Sequence, residues 1–299
     1  MITIERDKKH FSFDSSIPAA ATAFSGDVIR FCCTDCYDGQ IVDDGMDYSL
    51  IDGERSNPVT GPLYLEGAQP GDLLRIEVLK IQVADYGVMC VRSGHGVYNM
   101  EGCHVRRFSV GDGYIYFDRG LKIPVRPMIG IIGCCPEGDP VSTHTPGNHG
   151  GNLDIRELGE GSVLFLPVQV PGAMVSAGDL HAVQGDGETA ICAMETSGEV
   201  QLRIDIIPGG AGLLPTPFLE TDKAYYTIAS DASLDQCSVK AAEKMQQMLI
   251  KYGGLTDAQA AMFLSLTGNL RISQVVNPEK GCMMELSKAD MNFLLPGEK

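Results

Sequence analysis

The run GDLHAVQGDGE, residues 178–188, places Asp179, His181, Gln184, Asp186 and Glu188 close together among the glycines at 178, 185 and 187. Carboxylate and neutral imidazole together are the ligand set of a borderline divalent cation such as zinc, and a catalytic zinc keeps one position open for water. Residues two apart on a strand face the same way, so Asp179 and His181 are expected to project together. The glycines let the backbone turn tightly around whatever those side chains hold. The next run, ETAICAMET (188–196), starts at Glu188 and carries Glu195 near its end. If the two runs pair as a hairpin, Glu188 lies at the turn and Glu195 at the far end. Local spacing therefore predicts two clusters, unless neighbouring strands merge them.

Three further groups have chemical potential. STHTPGNHGGNLD (142–154) sets His149 between Asn148 and the pair Gly150-Gly151, with Asp154 five residues on. No helix or long strand survives its proline and glycines, so a shaped loop is predicted, and loops on a rigid sheet commonly carry binding groups. TDCYDGQ supplies Asp35 and Asp38, and SGHG supplies His95. His10 and His104 read as ordinary surface groups, and the Asp-Gly steps at 38–39 and 186–187 read as turns. Cys33 and Cys36 form a CxxC, either half of a zinc site or a redox pair, or merely buried thiols beside Asp35. There is no second CxxC, so the pattern cannot assemble a four-cysteine zinc site. Ser93 lacks the rest of a GxSxG nucleophile elbow. Nothing local marks Cys134 or Cys135 as an activated thiol.

The elements that must position these groups read as mainly β. Glycine and proline recur through the first ~215 residues, between short apolar or alternating runs. In EVQLRIDII (199–207), Val200, Leu202, Ile204 and Ile206 alternate with polar residues, the period of a half-buried strand. DLLRIEVLKIQV (72–83) and SVLFLPVQV (162–170) read as strands as well. The expected body, residues 1–215, is a sandwich or barrel-like assembly of short strands. An α+β region, 216–299, is expected after Pro215-Thr216-Pro217. It begins with a helix over 233–254 whose apolar face carries Val239, Ala242, Met245, Leu249 and Tyr252, with Gly253 as C-cap. A capping box at Thr256–Gln259 opens a second helix. Strands over 269–276 and 281–287 follow, then a short helix from Asp290 to Leu295.

The composition narrows the function. The 299 residues include 23 Lys and Arg against 39 Asp and Glu, a formal charge of −16. Such a chain is repelled by phosphate backbones and anionic lipid, which argues against nucleic-acid and membrane partners. No apolar run approaches the ~20 residues that span a bilayer. MITIERDKKHFSFD has neither the apolar core nor the cleavage site of a signal peptide, so a cytoplasmic location and reduced cysteines are expected. There is no GxGxxG opening a helix and no GxxxxGK[ST], so nucleotide-binding readings lack support.

NPVTGPLYLEGAQPGDLLRIEVLKI (57–81), PGNHGGNLD (146–154), LPVQVPGAMVSAGDLHAVQGDGE (166–188) and NLRISQVVNPEKG (269–281) resemble the acetamidase/formamidase family of amide hydrolases. The order PGxHGGNLD then GDxHAxQGDGE is specific, and the resemblance covers most of the chain. It implies a β-rich hydrolytic body with a smaller α+β part and release of ammonia from short aliphatic amides. It also implies a zinc-dependent site (Zn2+, with Ca2+ sometimes bound) and a homodimer or higher homo-oligomer. The site it implies takes in Asp35, His95, His149, Asp154, Asp179, His181, Gln184, Asp186 and Glu188. Around GIIGCCPEG the family tends to have small apolar residues where this chain has Cys134 and Cys135.

Spacing and resemblance together give one expectation. Asp35, His95, Asp179 and His181, joined by Glu195, ligate zinc. Glu188 or Asp154, with Glu188 preferred, moves the proton from water to the leaving nitrogen, because amide anion leaves very poorly. His149 and the backbone of Gly150 and Gly151 stabilise the oxyanion, and Gln184 and Asp186 help bind substrate. The alternative is a metal-dependent lyase or binding protein for small carboxylates on the same scaffold. A non-catalytic assembly subunit, the third reading, requires no metal.

Overall fold

The structure, a computed structural model, describes residues 1–291. Two large sheets carry the fold, and among the described residues no barrel closes. The first has nine strands. Its centre is the pair Leu73–Val83 and Gly198–Ile207, flanked by Val28–Cys33 on one side and Val163–Pro167 on the other. The alternation read in 199–207 holds: Val200, Leu202 and Ile204 are buried and the residues between them are half-exposed. The second sheet has eleven strands and is centred on Val175–Val183, which pairs with Val59–Leu65, Met128–Cys134 and Met194–Thr196. Phe31, Val78, Leu164, Val200 and Leu202 of the first sheet share one buried core with Leu63, Ile129, Ile132, Val175 and Leu180 of the second. That packing is the mainly-β sandwich expected from the strand spacing.

Residues after Pro217 extend the nine-stranded sheet. Phe218–Glu220, Ala224–Asp231, Lys280–Ser287 and Asn269–Gln274 continue it outward in that spatial order. Two helices, Leu234–Gly253 and Asp257–Thr267, join a core of their own with these strands, around Met245, Leu249, Leu264 and Leu286. The predicted capping box is present, with Thr256 and Gln259 each satisfying the other's backbone N–H.

Several local expectations are corrected. The long helix buries Cys237, Ala241, Met245, Met248 and Leu249, whereas Val239 is exposed. Its face is therefore rotated from the predicted one, because the sheet beneath selects which apolar residues turn inward. The C-cap is Gly254, with φ +65°, rather than Gly253. The last helix spans Lys288–Met291, and the rest of the predicted Asp290–Leu295 element lies outside the described residues. Only Met194–Thr196 of ETAICAMET is a strand. His10 is buried rather than on the surface, its ring nitrogens 2.7 Å from the Ser12 carbonyl and 2.9 Å from Ser176 Oγ.

Candidate active site

His181 and Glu195 are direct cross-strand partners in the eleven-stranded sheet. Met128–Cys134 lies on the other side of the His181 strand, and Gly130 in it faces the carboxylates. A Cβ at Gly130 would stand 2.5 Å from Asp179 Oδ2 and 2.8 Å from Asp154 Oδ1. Glycine here is what lets the two acids converge. Gly150–Asn152 pairs with the far edge of Met128–Cys134. From that segment Asn152 and Asp154 enter the site, while Leu153 lines a different hollow.

The two predicted clusters are one. His181 Nε2 lies 3.1 Å from Glu195 Oε2, 3.5 Å from Asp179 Oδ1 and 4.0 Å from Asp154 Oδ1. Ligand atoms of Asp154, His181 and Glu188 lie within 4.8 Å of one another, as do those of Cys36, Asp179 and Glu195. Glu188 reaches the cluster because the chain after Val183 leaves the sheet and folds back. Gly187 N donates to the Ser273 carbonyl at 3.0 Å, and Val275 N donates to the Gly187 carbonyl at 3.0 Å. The late strand Asn269–Gln274 thus fixes this loop from outside.

Three of the acids hold left-handed backbone: Asp154 at φ +45°, Asp179 at +54° and Glu188 at +43°. Such conformations cost on the order of 1–3 kcal/mol each in a non-glycine residue and persist where the surroundings impose them, commonly at functional sites. Asp179 adopts its own in mid-strand.

Gln184 sets the orientation of His181. Its amide nitrogen donates to the carbonyls of Asp154 at 2.7 Å and Ser273 at 3.2 Å, so its oxygen must face the imidazole. That oxygen is 2.8 Å from His181 Nδ1 and takes the proton there. A neutral His181 therefore presents the lone pair of Nε2 to the carboxylates, the arrangement that a metal-ligating histidine requires. Asn277 Nδ2 donates to Asp154 Oδ2 at 2.7 Å.

Burial and crowding set the protonation. Burial, then the neighbouring charge of Asp179, pushes Asp154 up to about 7, against the pull of His181 and Asn277. Burial pushes Glu195 up to about 8 despite His181. Burial and Asp154 raise Glu188 well above the usual carboxylate range. Burial would raise Asp179 too, but His181 beside it holds it below its ordinary value. His181 is itself held far above the usual imidazole value, in spite of burial, by Glu195 and Asp179.

Four carboxyls in one buried space are costly unless a cation or protons offset them. Asp179 Oδ1, His181 Nε2, Glu188 Oε2 and Glu195 Oε2 are buried and make no hydrogen bond, although they converge. Unpaired oxygens and one imidazole lone pair aimed inward are the donor set of a borderline divalent cation. The residues fit such an ion.

Cys36, Asp154, Asp179, Glu188 and Glu195 line a cavity of about 180 Å³ together with Asn57, His95, His144, Asn152 and Asn277. Larger hollows of about 470 and 1040 Å³ are not lined by Asp154, Asp179, Glu188 or Glu195, and one of about 390 Å³ shares Glu188 and Cys192 with the cavity.

The other expected residues are placed differently. Asp35 accepts from the N–H groups of Tyr37 and Gly39, both at 3.0 Å, and holds the turn that delivers Cys36. His95 is exposed at the cavity mouth, 3.1 Å from the Ser93 carbonyl. His149 packs edge-on against Phe13 at 5.1 Å and does not line the cavity. The Gly150 N–H already donates to the Gly147 carbonyl at 3.1 Å. Gly151 packs so tightly that a Cβ would sit against the Thr145 carbonyl. Asp186 points away from the cluster, bound by Arg271 with its closest contact at 2.8 Å.

Sequence reasoning did not single out Asn57, His144, Asn152 or Asn277. Asn152 sat inside the quoted GGNLD and Asn277 inside QVVNPEKG, but an amide without a charged neighbour gives little signal. Cys36 was visible only as half of a CxxC whose other half, Cys33, lies in the core between the sheets.

The acetamidase/formamidase family model matches residues 2–145 and 137–286. A crystal structure of an acetamidase from Bacillus halodurans superposes with a TM-score of 0.95 at 38% identity, over 98% of this chain and 99% of that one. A recombinant predicted acetamidase/formamidase from Thermoanaerobacter tengcongensis superposes with a TM-score of 0.93 at 36% identity, over 98% and 97% of the two chains. An acetamidase of Mycolicibacterium smegmatis is 29% identical over 269 residues, 67% of this chain. That match spans 66% of the curated relative's length.

Proposed function

The chain belongs to the acetamidase/formamidase family, and on that premise we propose that it hydrolyses short aliphatic amides, such as formamide and acetamide, to carboxylate and ammonia with the help of a bound divalent cation. The observation that carries the reading is the set of unpartnered buried donor atoms of Asp179, Glu188 and Glu195 on one small cavity, with the unpartnered Nε2 of His181 directly behind them. A volume of about 180 Å³ is below the ~300 Å³ at which drug-sized ligands begin to fit, and so favours a small substrate.

Asp179, His181 and Glu195 would hold the cation, with Cys36 Sγ beside them. When bound, zinc supplies Lewis acidity toward a water and an amide carbonyl. Asp154 and Glu188 are left to move the proton. Burial favours the protonated form of Asp154, the direction that suits a carboxyl that must take a proton and return it. Water attacks the carbonyl carbon and forms the C–O bond as this pair takes its proton. The pair then passes the proton to the amide nitrogen, the C–N bond breaks, and ammonia leaves. Asn277 holds Asp154, and Gln184 holds His181. In this reading Asp35 shapes the wall, His95 guards the entrance, and Gly150 and Gly151 act through close packing. The proposal includes the homo-oligomer and the cytoplasmic location expected from the sequence.

The test is elemental analysis of protein purified without added metal, followed by ammonia release from formamide and acetamide on the same sample. About one divalent ion per chain and chelator-sensitive ammonia are expected, and both should vanish in an Asp179→Ala/His181→Ala double variant. Full turnover in that variant would sink the assignment. Metal without ammonia would favour the lyase or binding reading.

A further inference from the structure

Ten cysteines are present, and among the described residues Cys103 alone is exposed. It begins the strand Cys103–Gly111, which pairs antiparallel with Tyr86–Arg92 in the register Cys90↔Val105 and Arg92↔Cys103. Cys90 and Cys103 are thus diagonal neighbours, and their Sγ atoms lie 3.5 Å apart. Diagonal side chains on paired strands are within reach of each other, and closing the remaining gap to an S–S bond needs a side-chain rotation with a small approach of the two strand ends. Cys237 and Cys282, also in contact, are both buried in the core between the helices and the sheet, and Cys192 beside Cys90 is buried as well. A dissolved oxidant can meet the first pair through Cys103 and is shielded from the second.

The position of the pair matters to the cavity. Cys90 and Cys103 stand at the base of the loop that carries His95. Ser93 N donates to the Gly102 carbonyl at 2.8 Å where that loop begins, and Val97 N donates to the Thr189 carbonyl at 2.9 Å near its tip. Cys90 is also tied to the cavity wall. Its N–H donates to Cys192 Sγ at 3.1 Å, and the Cys192 thiol donates back to the Cys90 carbonyl at 3.2 Å. Cys192 lines the cavity.

We propose that Cys90 and Cys103 are a reversible modification site, closed to a disulfide by a low-molecular-weight disulfide oxidant, which staples the base of the His95 loop at the cavity mouth. The Cys103 thiol attacks the oxidant, forms a mixed disulfide, and one thiolate leaves. The Cys90 thiol then attacks the Cys103 sulfur and expels the second. The two cysteine protons end on the two released thiols, and two electrons pass from the cysteine pair to the oxidant.

The probe is oxidised glutathione acting on the whole protein, read by a free-thiol count in denaturant and by mass spectrometry. The expected product has two fewer free thiols than the native ten, retains no glutathione, and yields a linked Cys90–Cys103 peptide. In a Cys90→Ser variant, glutathione should instead remain on Cys103. A Cys103→Ser variant should lose no thiols. Cleavage by chymotrypsin at the exposed Tyr98 gives a second readout. The fragments that carry Cys90 and Cys103 should stay joined on a denaturing gel until reductant is added. Wild-type protein that retains glutathione on Cys103, keeps all its thiols, or bridges elsewhere would overturn the proposal.

Discussion

Gln184 shows how much a side chain with no chemistry of its own can decide. With its amide nitrogen committed to two carbonyls, it fixes Nδ1 of His181 as the donor to Gln184 and leaves Nε2 as the nitrogen that faces the acids. Replacing it with leucine removes that constraint without touching a carboxylate. Loss of such an outer partner typically weakens metal affinity 10–100-fold. If the cluster holds a divalent cation as proposed, Gln184→Leu should bind that ion roughly 10–100-fold more weakly in competition with a chromophoric chelator. Unchanged affinity would mean that the ring is held by packing alone.

At the scale of elements, the eleven-stranded sheet supplies Asp179, His181 and Glu195, and the edge of the other sheet controls Glu188. Arg271, on the strand Asn269–Gln274, donates to Asp186, Glu157 and Glu285 with closest approaches of 2.8, 2.6 and 2.5 Å. It clamps the loop that carries Glu188 and offsets part of the repulsion among these three carboxylates. Arg271→Gln should cost about 2 kcal/mol of stability in urea unfolding, the scale of a lost charged hydrogen-bond network on a partly buried group. It should also lower turnover, because Glu188 loses its anchor. A stability loss with turnover intact would separate the clamp from the site.

At the scale of the molecule, the balance of stability with pH carries the signature of the buried histidines. Burial lowers His149 to about 4, whereas an unfolded histidine sits near 6.5. Between those values the unfolded chain binds a proton that the folded chain refuses, so this residue's contribution falls as pH drops from about 6.5 to 4 and is complete above 6.5. Asp154 and Glu195, raised by burial, act in the opposite sense in protein without a bound ion. A difference between two proteins isolates the histidine. Relative to wild type, His149→Gln should gain up to about 3 kcal/mol between pH 6.5 and 4, measured by unfolding at each pH. A difference that does not vary with pH would show that His149 is solvated in the native state.

The sequence by itself determined the period-two strands, the helix and capping box after Pro217, and the local density of ligands in GDLHAVQGDGE. These depend on neighbours a few residues apart, whose spacing dictates which face each side chain takes. Tertiary structure alone decided which ligands meet. Glu195 joins His181 across a strand pair, Asp154 arrives from the far side of Met128–Cys134, and Cys36 rather than Asp35 reaches the cluster. Asn277 comes from 123 residues beyond Asp154 to bind it. The rotated face of the long helix and the burial of His10 have the same cause. Each depends on a surface contributed by a distant strand, and long-range pairing leaves no periodic trace in the segment it acts on.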